Sequence, residues 1–397
     1  MSVSKRINKI GVSPTMKVAA EAKQMQARGE SVIDFSMGEP DFPTPPNVKE
    51  AAIRAIENNQ TRYTLNQGTI ELRTAISNKL KNENGLEYSP DEIIVSAGAK
   101  QSLYNTIQSL IYVDDEVIIP APYWVSYPDM VSLADGQSVI VPTTEETGFK
   151  ITPEQLKKAI TPYTKILILC NPSNPTGSCY TRKELEAIAE IVEQNNFYVI
   201  SDEIYEKIVY DNFEFVCFAS LSDNIKKKTV TVNGLSKSYA MTGWRVGYAA
   251  GPEHIVNAIN KIQSHSTSNA SSVSQAASIE ALNGSQDYVE MMRREYEKRR
   301  NYLYDELTSI KGVTCYKPEG AFFLFPNFKN YFHKSTHVFK IEHSFDLAMY
   351  LLYEVKVATV PGSAFGAEGY LRLSYATSME NLKEGVERIK EALAKLQ

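Results

Sequence analysis

Short apolar runs recur through the middle of the chain, each bounded by polar or turn-forming residues. Seven are of strand length and rich in Val, Ile or Tyr: 92–96, 116–119, 138–141, 165–170, 197–201, 229–232 and 245–249. Between most of them apolar positions recur at helical spacing, over 99–111, 124–134, 153–160 and 181–194. Strand and helix in alternation predict an α/β domain with a mainly parallel, seven-stranded sheet. Such sheets gather ligands at the carboxyl ends of their strands.

The last hundred residues follow another pattern. A long charged helix is expected over 288–310, with Arg293, Arg294, Lys298, Arg299 and Arg300 on its surface beside glutamates. Short strands over 321–325, 356–359 and 370–374 and a closing helix over 379–396 predict a smaller α+β domain. The N-terminal arm and a helix over 16–29 are expected to join it. The expected division is 1–46 for the arm and part of the small domain, 47–287 for the large domain and 288–397 for the small domain.

Composition narrows the classes. Of 397 residues 43% are hydrophobic and 22% charged, which excludes chain-wide disorder. The net charge is −5 with no long basic run, which argues against a nucleic-acid partner. No run approaches the roughly 18 apolar residues of a membrane helix. The first 25 residues lack an apolar signal core. Cys170, Cys179, Cys217 and Cys315 form no C-x-x-C pair, so reduced thiols in a cytoplasmic protein are expected. His333 and His337 stand four apart in a polar stretch, and no metal site is expected there.

Four strand ends carry polar clusters. Ser96-Ala97-Gly98-Ala99-Lys100 leaves free backbone N–H groups at a helix start, an anion-binding geometry. Asn171-Pro172-Ser173-Asn174-Pro175-Thr176-Gly177 is a fixed turn that aims the Asn174 amide over the sheet edge. Asp202 and Tyr205, three apart after a strand, are expected to share a face of a first helical turn. Lys237 lies among small and hydroxyl residues, with Arg245 eight positions on between glycines. A desolvated lysine of this kind is an amine nucleophile. Taken singly, the first three also fit an ordinary turn, a rigid loop and a helix cap. Together they suit pyridoxal phosphate, which needs an anion cradle, an amine, hydrogen-bond donors and a carboxylate for its ring nitrogen.

Nine segments in order complete the picture: GEPDF (38–42), RYTLNQGTIELR (62–73), SAGAKQSLYN (96–105), PAPYWVSYPDM (120–130), NPSNPTG (171–177), SDEIYE (201–206), LSKSYAMTGWRVGY (235–248), VPGSAFG (360–366) and LRLSYATS (371–378). On these the sequence resembles the class I, fold-type I pyridoxal-phosphate aminotransferases, and within them the bacterial-type aspartate aminotransferases of the Ib subgroup. The resemblance covers most of the chain. It implies that Lys237 holds the cofactor through its ε-amine and later serves as the general base. It implies that Asp202 pairs with the ring nitrogen, that Tyr205 and Asn174 donate to the phenolic oxygen, and that Trp124 lies against the ring. Ser236, Arg245 and the backbone of Gly98, Ala99 and Lys100 are expected at the phosphate. Tyr63 is expected to reach the phosphate of a neighbouring subunit, which makes the active unit a homodimer.

For the substrate, Arg372 resembles the arginine that grips the α-carboxylate, with Asn174, Trp124 and Gly38 closing the site around it. Relatives of animals and enteric bacteria bind the distal carboxylate with an arginine from the partner subunit. The corresponding stretch here, 263–269, contains no arginine. Lys100 matches the lysine that the Ib subgroup uses instead, and Ser13 and Thr15 match residues near the same carboxylate. The implied reaction is ping-pong amino transfer from L-aspartate to 2-oxoglutarate, with the small domain closing over the substrate. Prephenate or aromatic substrates are the nearest alternative, because lysine is a point charge on a flexible stem. A C–S lyase of the same fold and a non-catalytic regulatory domain are further alternatives.

Overall fold

The computed structural model describes residue 4, residues 7–11 and residues 14–397, the side chains of 14–16 excepted. The chain enters through helix α1 (Pro14–Ala27) and the short strand β1 (Ile33–Asp34), then α2 (Pro46–Glu57) and α3 (Ile70–Asn84). The succession that follows is β2 (Ile93–Ser96), α4 (Ala99–Leu110), β3 (Glu116–Ala121), α5 (Ser126–Leu133), β4 (Gln137–Pro142), α6 (Pro153–Ala159) and β5 (Thr164–Cys170). It continues with α7 (Arg182–Glu193), β6 (Tyr198–Asp202), α8 (Asp223–Lys228), β7 (Thr229–Gly234) and β8 (Gly247–Ala250). Helices α9 (Glu253–Ser264), α10 (Ser272–Asn283) and α11 (Asp287–Thr308) lead to β9 (Phe323–Leu324). The chain ends with α12 (Ser344–Val355), β10 (Val357–Ala358), β11 (Val360–Pro361), β12 (Leu371–Ser374) and α13 (Met379–Ala394).

The seven expected strands form one sheet in the order β2-β8-β7-β6-β5-β3-β4. β8 runs antiparallel to both its neighbours, and the other pairings are parallel. The period of two explains the layering. Val117 and Ile119 of β3 point into a core with Leu103 and Ile107 of α4, while Ile118 points into the opposite core with Leu185 and Ile188 of α7. Central strands covered on both faces read as unbroken apolar runs. Local signals start the helices: Thr152 and Thr181 cap α6 and α7, with Gln155 and Glu184 returning the bond.

A second core joins α1, β1, α11, α12, α13 and the short strands β9, β10 and β12. Two expectations fail here. Arg299 and Arg300 are buried, not on the surface of α11. They fall on the same helical face as Tyr296, Leu303 and Leu307, and each finds an acid on another segment, Asp41 and Asp211. Arg293 and Arg294 do pair with Glu290, as expected. The four cysteines are unpaired, and His333 lies in a loop beside Glu342.

Candidate active site

Strand register brings the polar clusters level. Cys170 pairs with Asp202, Asp202 with Val232, and Gly247 with both Gly234 and Ser96. The segments leaving these ends converge on a cleft of about 540 Å³. Gly38, Ala99, Lys100, Trp124, Asn174, Asp202, Tyr205, Ser236, Lys237, Arg245 and Arg372 all line it.

Two loops interlock at one end. Gly98 (φ 92°) precedes α4, and a Cβ there would lie 2.4 Å from Arg245 Nη2. A Cβ on Gly247 would lie 2.1 Å from the Ala99 nitrogen. The two glycines therefore let the Arg245 loop seat against the start of α4, where the first-turn amides lack helical acceptors. Arg245, itself left-handed (φ 55°), is held by the carbonyls of Thr242 at 2.8 Å and Ala97 at 3.3 Å. A cation and free amides at a helix start form an anion cradle.

Lys237 Nζ donates to the Gly38 carbonyl at 2.5 Å. Burial lowers its pKa to about 8, with Arg372 and Arg245 adding to the shift and Glu39 and Asp202 opposing it. An amine with that pKa is partly free base near neutral pH. Asp202 closes β6, and burial pushes its carboxyl up to about 6 against a hydrogen bond from Tyr127. That bond is 2.6 Å from Tyr127 Oη to Asp202 Oδ2. Tyr127 also meets Trp124 edge to face, with ring centroids 5.4 Å apart. The segment after Asp202 is a tight turn and not the expected helix, with the Glu206 amide donating to the Glu203 carbonyl at 3.0 Å. The turn places Tyr205 in the cleft against Phe322 and Phe323.

Arg372 leaves β12 buried and held from two sides. Its Nη1 donates to Asn174 Oδ1 at 3.0 Å and its Nη2 to the Ser36 carbonyl at 2.8 Å. Because the amide oxygen of Asn174 accepts from Arg372, its NH₂ is left as a donor. Arg372 Nε is buried without a partner among the described residues, and burial lowers the side chain's pKa to about 10, so it is charged at neutral pH. Lys100 Nζ lies 4.8 Å from the centre of the Trp124 ring. Desolvation and the Arg245 charge lower its pKa.

Two expected residues, Gly98 and Tyr63, stand apart from the lining. Gly98 lies behind Arg245. Tyr63 is 92% exposed and does not reach this chain's cleft. Ser13 lies outside the described residues, and Thr15 falls in the first turn of α1. Ser36, Glu39, Tyr127, Cys170, Thr242 and Phe365 line the cleft although sequence reasoning assigned them no role. Tyr127 stands in the quoted PAPYWVSYPDM segment, but its acceptor is 75 positions away, so no local spacing signals it.

The described residues contain no helix long and apolar enough to cross a membrane. A family model for aminotransferase class I and II matches residues 30–389. The aspartate aminotransferase of Bacillus subtilis (strain 168) is 47% identical over 395 residues, covering 100% of both chains. A probable aspartate/prephenate aminotransferase of Rickettsia conorii is 48% identical, covering 98% of both. The crystal structure of an aspartate aminotransferase from Rhizobium meliloti superposes with a TM-score of 0.97 at 44% identity, covering 100% of both chains.

Proposed function

We propose, from the premise that this chain belongs to the class I and II aminotransferases, that it is a pyridoxal-phosphate-dependent aspartate aminotransferase. It moves the amino group of L-aspartate to 2-oxoglutarate and releases oxaloacetate and L-glutamate. The observation that carries the substrate reading is a pair of cations in one cleft. Arg372 and Lys100 both line it, and neither has a carboxylate partner among the described residues. A dicarboxylate supplies two.

The residues present suit the cofactor: an amine near its free-base range, a buried carboxylate and an anion cradle that Cβ atoms at Gly98 and Gly247 would fill. Bound pyridoxal phosphate supplies an electron sink that acidifies the Cα–H bond of the amino acid. In this reading Ser236, Arg245 and the amides of Gly98 to Lys100 hold the phosphate. Asp202 keeps the ring nitrogen protonated, Tyr205 and the Asn174 NH₂ donate to the phenolic oxygen, and Trp124 covers the ring. Arg372 grips the α-carboxylate, with Gly38, Asn174 and Trp124 around it. Lys237 takes the proton from Cα. Ser13 and Thr15 are placed near the distal carboxylate by family resemblance alone.

Tyr127 belongs in this scheme as the donor that keeps Asp202 ionised. Tyr127→Phe keeps the ring and removes the donor. Its expected effect is a roughly tenfold weaker binding of pyridoxal phosphate by the apoenzyme near neutral pH. The loss is larger at pH 6 than at pH 8, because the Asp202 carboxyl, already near 6, moves further up and is more often protonated. An absorbance titration at both pH values measures it.

Lys100→Ala separates substrate recognition from cofactor binding. We expect KM for aspartate to rise roughly tenfold to a hundredfold, with KM for a neutral amino acid changed less than about twofold. Equal effects on both would remove Lys100 from the distal-carboxylate site.

A panel of amino donors with 2-oxoglutarate tests the whole reading, and aspartate standing inactive in it defeats the specificity. The Rickettsia relative's name supports a second reading, in which prephenate is also accepted. Pyruvate release from sulfur amino acids without an acceptor supports a lyase instead. The homodimer is part of the proposal, in which Tyr63 enters a second copy's cleft; the exposure of Tyr63 and of Ile53, Ile56, Leu65 and Ile70, nearby in sequence, supports it. A cytoplasmic location and the division at 46/47 and 287/288 are also part of the proposal.

A further inference from the structure

Behind the cleft, a cluster of charged groups joins two of its turns. Lys79 of α3 is 6% exposed and Glu206, the residue after Tyr205, is 8% exposed, and the two form an ion pair. Asn84, the last residue of α3, closes a triangle. Its Oδ1 accepts from Lys79 Nζ at 2.7 Å and its Nδ2 donates to Glu206 Oε2 at 2.8 Å. Burial pushes the Glu206 carboxyl up, but the Lys79 charge and these hydrogen bonds outweigh it and hold the pKa below its ordinary value.

The contacts lead on toward the reactive lysine. Glu83 lies 3.7 Å from Lys79 Nζ and 2.8 Å from Lys207 Nζ. Lys207 Nζ donates to Gln286 Oε1 at 3.3 Å, and Tyr239 Oη donates to the same oxygen at 2.8 Å. Tyr239 stands two residues after Lys237. The Tyr205 turn and the Lys237 loop are thus tied to the end of one helix, α3, which contributes nothing to the cleft lining.

Net stability does not account for such a pair. Desolvating two buried charges costs about as much as their attraction returns, and replacing both with apolar side chains is often neutral. A carboxylate with a partner on each oxygen instead has a fixed place. Glu206 sits in a tight turn, with the Ile208 amide donating to the Tyr205 carbonyl at 2.8 Å, so a shift of Glu206 carries Tyr205 with it.

We infer that Lys79 is a positioning residue, setting the Tyr205 hydroxyl through Glu206 and the Lys237 loop through Glu83, Lys207, Gln286 and Tyr239. The inference rests on the cofactor roles proposed for Tyr205 and Lys237.

The test is the double variant Lys79→Met, Glu206→Met, which removes both charges and strands neither. A displaced Tyr205 hydroxyl favours the anionic phenolic oxygen less. The pH midpoint of the bound cofactor's visible absorbance is therefore expected to rise by about half a unit or more. In the same holoenzyme kcat is expected to fall roughly tenfold or more while KM for aspartate changes less than about twofold. A folded double variant with the wild-type midpoint and kcat overturns the inference. If the double variant does not fold, Tyr239→Phe carries the test by cutting only the Gln286 link to the Lys237 loop, and a wild-type kcat there overturns it. Failure of the wild-type protein to take up pyridoxal phosphate, or to transfer the amino group of aspartate, defeats the proposed function instead, and shows before any variant is made.

Discussion

Lys237→Met is expected to abolish amino transfer and to make the cofactor-free protein more stable at pH 7. The amine is asked to serve as covalent anchor and as general base, and losing both lowers kcat by roughly 10⁴-fold or more. Methionine keeps most of the aliphatic stem, so no large cavity opens. The stability gain follows from linkage. The folded-state pKa is about 8 against 10.5 for an ordinary lysine, so between those values the folded protein binds fewer protons than the unfolded one. Stability contributed by this group therefore rises with pH across that window. Below pH 8 the charged amine costs the fold roughly 3 kcal/mol as an upper bound, from the shift between 10.5 and about 8. The variant should gain most at pH 7 and lose its advantage as pH approaches 10.5. Urea unfolding of both apoproteins at pH 7 and pH 10 measures this. Equal midpoints at pH 7 would mean that the amine is solvated in the fold and not poised as a nucleophile.

Arg372→Leu is expected to lower kcat/KM by roughly 10³-fold for aspartate and 2-oxoglutarate alike, the scale of two charge-assisted hydrogen bonds. The loss should extend to neutral amino donors, because every substrate carries an α-carboxylate. That separates Arg372 from Lys100, whose loss is felt by dicarboxylates. The guanidinium is preorganised: Asn174 and Ser36 hold its two terminal nitrogens before any substrate arrives. Arg372→Lys should recover little, since a single ammonium cannot reproduce the planar fork. Steady-state kinetics with aspartate, alanine and 2-oxoglutarate check these points. A variant impaired only with dicarboxylates would exchange the proposed roles of Arg372 and Lys100.

By itself the sequence determined the elements and most of the residues that gather at the cleft. Apolar runs placed all seven sheet strands to within a few residues, because a buried strand needs an unbroken or alternating apolar stretch wherever it lies. The motifs named eleven of the residues that line the cleft, because each sits on a turn whose local composition is constrained by its own geometry. Tertiary structure alone decided the partners. Tyr127 reaches Asp202, Lys79 reaches Glu206, and Arg299 reaches Asp41, across separations that no periodicity encodes. It also turned the segment after Asp202 into a tight turn, where spacing suggested a helix, and drew Arg299 and Arg300 inward. Local pattern records which face of an element is apolar; which charged group waits on the other side of that face depends on how the elements meet.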